Sequence, residues 1–469
     1  MINDKITKKI RRMAKMLHQN HHQLEEISKL AEICRATPKF TEETYKINQV
    51  KRGLRDENGA GVVTGLTDIS DVIAKKKVDG VLTPCPGELY YRGIDVRKMI
   101  ENYDDAMSCG FEEATYLLLF GKLPNREELK NFNEILAGLR RLPKNFVRDV
   151  IMKAPNKDIM NSIARCVLAL YSYDAHALDN SIDNVLKQCL QLISITPMLA
   201  VYAYNAHMHY NENKSLIIHR PKPEYSTAEN ILHMLRQDSK FTALEAKVLD
   251  IAFILHAEHG GGNNSSFTTH VVTSAGSDTY STITAALCSL KGPKHGGANI
   301  KVMEMMADIK KHVSDWQDED QLREYLSKLL AGEGYDHSGL IYGMGHAVYS
   351  VSDPRAQVFK GFVEQLATEK GRKKEFKFYD KIERISQELI CQKRKIIKGV
   401  SANVDFYSGF VYNMLGLPQE LFTPMFAVAR MSGWSAHRLE ELHNAGKIIR
   451  PAYVSTNGRN PYVSIDDRK

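Results

Sequence analysis

The sequence predicts a mostly α-helical protein, and three observations carry the prediction. Apolar residues recur at helical spacing through most of the chain beyond residue 100. Two of those segments open with capping boxes. Strand signals gather only near residues 80–92. The 469 residues suggest two or more domains, or one large lobe with a smaller one.

In chain order, residues 1–60 are polar, basic and weakly helical, and "KRGLRDENGAG" (51–61) reads as a loop. The first residues lack the apolar core of a secretory signal, and their acidic residues speak against a mitochondrial presequence. In "DGVLTPCPGELYYRGIDVRKMI" (79–100), Val81 and Leu89-Tyr90-Tyr91 are expected to pair as a small hairpin around Pro84 and Pro86. Asn125 with Glu128 forms the first capping box, and Leu129, Phe132, Leu136 and Leu139 follow at helical spacing. Thr242 with Glu245 forms the second. Its stripe is Leu244, Val248, Ile251 and Leu255, and Gly260-Gly261-Gly262 is expected to end the helix. Further helices are expected at 281–290, 298–312, 320–331, 376–393 and 420–430. No run approaches 18 apolar residues, so no membrane-spanning helix is expected. Internal repeats and low-complexity tracts are absent from the sequence.

Composition bounds the function classes. Hydrophobic residues make up 43% and charged residues 25%, as in an ordinary globular protein. The formal charge of +7 suits an anionic small molecule. It is too small and too evenly spread to mark a nucleic-acid binder, and no RNP-type or zinc-finger pattern supports one. Seven cysteines without a CxxC pair fit a reducing compartment and argue against a disulfide framework or structural zinc. The cytoplasm is the expected location.

Four motifs carry chemistry. "LHAEHGGGNNSSFTTH" (255–270) sets His256 and His259 at a helix C-terminus, where the macrodipole favours protonated imidazole. A charged His259 beside a Gly- and Asn-rich loop suits a carboxylate. The competing readings are a plain helix end with two exposed histidines and a metal site. For the metal, H-x-x-H spacing is present, but a further local ligand and the HExxH order are not. "GPKHGGANIKVMEMM" (292–306) puts His295 at a helix start, where the dipole favours the neutral ring, and Gly296 and Gly297 let a ligand approach the backbone. An incidental histidine at a helix start reads equally from the residues. In "YGMGHAVYSVSDPRAQ" (342–357), Gly343 and Gly345 flank His346, and Arg355 in an Asp-Pro-Arg turn can grip a carboxylate through two parallel bonds. "ANVDFYSG" (402–409) offers Asp405 among apolar residues, either as a base of raised pKa or as a structural turn residue. Arg430 and Arg450, taken singly, read as surface cations, and "CQKRKIIKG" (391–399) reads as a solvated face unless phosphates must be held nearby.

In their order and spacing, "HGGGN", "GPKHGGAN", "GMGHAV…DPR" and "NVDFYSG", followed by Arg430 and Arg450, closely resemble the citrate synthase family from about residue 90 to 455. The resemblance implies condensation of acetyl-CoA with oxaloacetate to citrate and CoA, without a resident cofactor, a metal or a covalent enzyme intermediate. It implies a large helical domain (1–294 and 420–469) and a smaller helical domain (295–419) that closes over the active site. By the matching positions, Asp405 abstracts a methyl proton, His295 hydrogen-bonds the thioester carbonyl, and His346 polarises the ketone and protonates the new hydroxyl. His259, Arg355 and Arg430 hold the oxaloacetate carboxylates, and Arg450 reaches in from the partner subunit of a homodimer. Leu340, Gly343, Met344, Gly345, Lys395 and Lys398 face CoA. The alternatives are a 2-methylcitrate synthase that uses propionyl-CoA, and an idle family member that binds CoA or oxaloacetate as a sensor. The retained Asp405, His295 and His346 argue against the idle member. Neither nucleic acid nor membrane is an implied partner. Two positions depart from the family pattern. Ser350 stands where many relatives carry a basic residue toward a CoA phosphate, for which Lys393, Arg394, Lys395 and Lys398 can compensate, and Gly260 stands where glutamate is frequent. "GWSAH" and "NVDFYSG" point to a bacterial type, and the extra N-terminal β domain of the hexameric bacterial group is not evident.

Overall fold

A computed structural model of the chain describes residues 21, 23–56, 60–346, 348–394, 399–444 and 446–468. Two compact units are present. One comprises Met1–Thr64 with Pro451–Lys469, and the other Gly65–Arg450. Setting the two chain ends apart in this way differs from the sequence reading, which placed both with the larger helical domain.

In the first unit the described residues form a helix over 23–36, the short helix Glu42–Ile47 capped by Thr41, and the 3-10 turns Arg52–Leu54 and Ile465–Asp467. Arg55 and Gly61 bridge the expected loop.

Among its described residues the second unit is helical apart from one small antiparallel sheet. Strand β1 (Ser70–Val78) pairs with β2 (Val81–Tyr91), and β2 pairs with β3 (Ile94–Asp95). This corrects the expected hairpin. The turn lies at Asp79-Gly80, where both residues take positive φ (50° and 83°), as a tight two-residue hairpin requires. Pro84 instead sits inside β2 opposite Lys75, next to a register shift between Ile73 and Lys75.

Both capping boxes form as read, Asn125 with Glu128 and Thr242 with Glu245. The helices Thr279–Leu290, Ala298–His312, Glu319–Ala331 and Lys373–Arg394 follow the expected segments closely. The last helix is the exception. It runs from Phe422 to His443, twice the expected length, and every residue from Phe422 to Arg438 is buried. It packs against Gly110–Phe120, Ile182–Glu212, Ala243–His256 and Asn264–Ser274, which makes it the axis of the core. Ile182–Glu212 is long and apolar enough to cross a membrane, contrary to the sequence reading, but 83% of its most apolar window is buried inside the protein.

Within residues 295–419, Ala298–His312 and Pro354–Glu369 pack on Val404–Met414, and Glu319–Ala331 and Pro354–Glu369 pack on Lys373–Arg394. Pro354–Glu369 also meets Ala243–His256 and β2.

Gly433 lets the axial helix approach the turn that carries the site. A Cβ built there would lie 2.5 Å from the Ala257 carbonyl oxygen and 2.3 Å from Glu258 Oε2. Backbone cannot yield as a flexible side chain does. Gly433→Ala is therefore expected to destabilise the protein by about 1–3 kcal/mol, read as a lowered midpoint of thermal unfolding. An unchanged midpoint would show that the helix can shift at no cost.

Candidate active site

His259 lies three residues beyond the helix Ala243–His256, whose C-cap is Ala257 rather than the glycine run. The turn continues to Asn263, which caps Asn264–Ser274. His259 is only 7% exposed, and its Nε2 has no hydrogen-bond partner. Burial drives its pKa well below the ordinary value, and Arg355, His346, Arg430 and His295 add to the effect. The ring is therefore neutral, against the expectation from the helix dipole: desolvation and two nearby guanidinium groups outweigh a half-charge at a helix end. His256 is fully buried, stacked on Phe426 with ring centroids 3.8 Å apart, and likewise held neutral. The arginines beside these two rings make the H-x-x-H pair hostile to a cation.

His295 precedes Ala298–His312 and is neutral as expected, its pKa lowered to about 4. The cause is burial first and Arg430 second. Its Nε2 lies 3.2 Å from Ser265 Oγ. The Ser265 hydroxyl donates to Asn263 Oδ1 at 2.9 Å, so it accepts from His295, and the Nε2–H faces a long, weak partner.

His346 Nδ1 accepts the backbone N–H groups of Val348 and Tyr349, both at 3.1 Å. A neutral ring must then carry its proton on Nε2, which fixes His346 as a donor. The ring stacks on Tyr349 at 5.0 Å and meets His259 edge-on at 5.1 Å. The preceding segment is strapped to residues 401–403. Gly345 N–H donates to the Ser401 carbonyl, Asn403 N–H donates to the Gly343 carbonyl, and Asn403 Nδ2 donates to the Gly345 carbonyl. Gly343 has φ of 80°, and a Cβ there would strike Phe406 and Val302 at 2.9 Å.

Asn403 also caps the helix Val404–Met414, which places Asp405 in its first turn. Burial raises the Asp405 pKa to about 6, opposed by Arg355 and Arg430 and reinforced by Asp353. Arg355 is 4% exposed and held bidentately by Asp353, with Nε to Oδ1 at 3.0 Å and Nη2 to Oδ2 at 2.7 Å. It belongs to the second residue of the helix Pro354–Glu369, not to a turn; Asp353 caps that helix with Pro354 at its first position. Arg430 is 3% exposed, its Nε donates to the His256 carbonyl at 2.6 Å, and its Nη1 has no partner.

His259, His295, His346, Arg355, Arg430 and Asp405 are thus brought within electrostatic reach of one another. Arg450 is exposed, with no hydrogen bond or ion pair to this cluster among the described residues. Leu340 is 43% exposed, and Met344 bridges Ala402. Lys395 and Lys398 lie outside the described residues, as does the Arg394 side chain, and Lys393 Nζ is taken by the Leu330 carbonyl. Sequence reasoning missed Ser265, Asp353 and Glu258. Glu258 is fully buried and accepts from Ser70, and His437 first, then Arg430 and Ser70, hold its pKa down at about 2 against the cost of burial. Of the three, only Asp353 left a signal, the Asp-Pro helix start.

The chemical sum is a base of raised pKa, two neutral imidazoles able to donate, and two buried guanidinium groups with unspent donors. The family model described as citrate synthase, C-terminal domain, matches residues 58–452. A citrate synthase of Synechocystis sp. is 34% identical over 81% of this chain and 88% of its own. A 2-methylcitrate synthase of Shewanella oneidensis is 32% identical over 79% of this chain and 90% of its own. The solved ternary complex of carboxymethyl coenzyme A and oxaloacetate with citrate synthase from Thermoplasma acidophilum has a TM-score of 0.70 and 27% identity, covering 89% of this chain and 99% of that one.

The Asp405 carboxyl is expected to titrate near 6, followed by carbon-13 NMR of labelled aspartate. Arg355 is the largest influence holding it down, so Arg355→Met should move the titration higher. A midpoint near that of an exposed aspartate would contradict the burial argument.

Proposed function

Since the chain belongs to the citrate synthase family, an enzyme family of acyltransferases that turn the acyl group into alkyl on transfer, we propose that it condenses acetyl-CoA with oxaloacetate and water to give citrate and CoA. One observation carries the reading: Asp405, a partly buried carboxyl with a pKa near 6, stands beside two buried arginines, one of which, Arg430, keeps an unpartnered donor. A base of that strength next to a desolvated cationic hole suits proton removal from carbon beside a dianionic acceptor.

In this reading the Asp405 carboxylate takes a methyl proton from acetyl-CoA. The His295 Nε2–H leaves Ser265 for the thioester oxygen and stabilises the enol or enolate. The new carbon–carbon bond forms at the oxaloacetate ketone, whose oxygen His346 Nε2–H polarises and then protonates. Water hydrolyses the resulting thioester and CoA leaves. His259, Arg355 and Arg430 hold the two oxaloacetate carboxylates, with the outer edge of Arg355 left for substrate by its bond to Asp353. Leu340, Gly343, Met344, Gly345, Lys395 and Lys398 face CoA, and residues 295–419 act as the smaller, closing domain. The protein works as a cytoplasmic homodimer with Arg450 completing the partner's site.

A second reading, propionyl-CoA as the acyl donor, rests on the 32% identity to a 2-methylcitrate synthase. One methylene in an apolar pocket shifts selectivity by only about 1–3 kcal/mol. A thiol-release assay with oxaloacetate separates the two: a higher kcat/KM for acetyl-CoA is expected, and a higher value for propionyl-CoA would reassign the enzyme.

Two outcomes test the residue roles. Asp405→Asn should abolish thiol release while oxaloacetate binding stays nearly intact. In the wild type kcat/KM should fall tenfold per pH unit below about 6, because protonation there removes the base. Near-normal turnover by the variant would remove Asp405 from the mechanism.

Mixing inactive Asp405→Asn chains with inactive Arg450→Ala chains should restore activity. In a hybrid dimer one site takes both residues from the chains that retain them. Random mixing makes half the dimers hybrids, so about a quarter of wild-type activity is expected. No recovery in hybrids verified by mass would mean that Arg450 acts within its own chain or not at all.

A further inference from the structure

Behind the proposed site, two more histidines face each other. His270 lies on Asn264–Ser274, and His437 lies on Phe422–His443 with Glu440 and Glu441 one turn further on. His270 Nε2 and His437 Nδ1 are 3.0 Å apart. The outer nitrogen of each ring meets a carboxylate: His270 Nδ1 lies 2.8 Å from Glu441 Oε2, and His437 Nε2 lies 3.0 Å from Glu258 Oε1, somewhat off the hydrogen-bond line. A carboxylate draws the imidazole proton toward itself. With the outer nitrogens turned to carboxylates, the two inner nitrogens are left facing each other.

A third donor faces the same place. Glu440 Oε1 accepts the Asp68 N–H at 2.8 Å, which orients the group, while the buried Oε2 has no hydrogen-bond partner and lies 3.9 Å from His437 Nδ1. The three donor atoms fall within 4.8 Å of one another. Gly261 leaves room beside them, since even a Cβ there would stand 3.5 Å from His437 Cε1 and 3.7 Å from His270 Nε2.

We propose that His270 Nε2, His437 Nδ1 and Glu440 Oε2 form a binding site for a divalent transition-metal cation of the zinc or cobalt type, apart from the groups assigned to the reaction. The donor set is two imidazoles and a carboxylate, the composition that zinc accepts. Two nitrogens bound tetrahedrally to zinc stand about 3.3 Å apart, so the rings need open by only a few tenths of an ångström. Each ring already has the carboxylate behind it that fixes tautomer and raises ligand basicity in metal sites. The sites are linked through Glu258, which touches His437 on one side and acts on Arg430 on the other.

The test is a titration of chelator-treated full-length protein with cobalt(II), followed by visible absorption, and with zinc by calorimetry. One equivalent per chain is expected, with the ligand-field bands of a four-coordinate cobalt ion that zinc then displaces. His270→Ala should abolish the bands. Glu440→Gln keeps both rings and removes the third donor, so it should weaken binding. Glu441→Gln, behind the ligand, should weaken it roughly 10–100-fold. Circular dichroism verifies that each variant is folded, and the two glutamine variants keep the test valid if His270→Ala is not. Wild-type protein that gives no such bands would overturn the proposal in favour of a proton shared between the rings. Bands that survive equally in all three variants would place the metal elsewhere and overturn it as well.

Discussion

The arrangement depends on burying two guanidinium groups, Arg355 and Arg430, close enough that each acts on the other's charge. Unpaired, such burial would cost several kcal/mol per ion. The two are offset differently. Arg355 has a dedicated counter-ion two residues away in Asp353, and the pair raises its pKa. Arg430 has the His256 carbonyl and the more distant Glu258, and burial lowers its pKa. The imbalance leaves Arg430 with an unpartnered donor at Nη1. Burial first, with the arginine charges adding to it, keeps His256, His259 and His295 neutral, and the same two charges limit how far the Asp405 carboxyl can rise.

Neutrality of the imidazoles has a chemical meaning. A charged His259 would bind a carboxylate more strongly, but it would add a third positive charge to a pocket already rich in them. In the proposed reading a neutral ring gives direction without that cost, and the arginines supply the attraction. His346 illustrates the same economy, since two backbone N–H groups choose its tautomer without any charged partner.

Much of this was legible in the sequence, and the limits have physical causes. Local signals worked: both capping boxes formed, and the helix at 298–312 has the bounds that its spacing implied. The axial helix was cut short because its buried face carries Arg430, Ser432, Ser435, His437 and Arg438, which erase the apolar periodicity. The hairpin was misplaced because two prolines drew the turn away from Asp79-Gly80. Glycine-flanked histidines announced themselves, whereas Glu258 did not. Its hydroxyl partner Ser70 is 188 residues away, and no local pattern records such a pairing.

The strap between residues 343–345 and 401–403 has a mechanical consequence. His346 follows directly on one side of it and Asp405 on the other, and three main-chain carbonyls accept the bonds that close it. The two residues therefore ride on a single short girder, although nearly sixty residues of chain separate them. Whatever excursions the surrounding helices make, the gap between Asp405 and His346 is set by that girder rather than by the packing of distant elements. Tolerance to motion elsewhere is then built in at this one spacing.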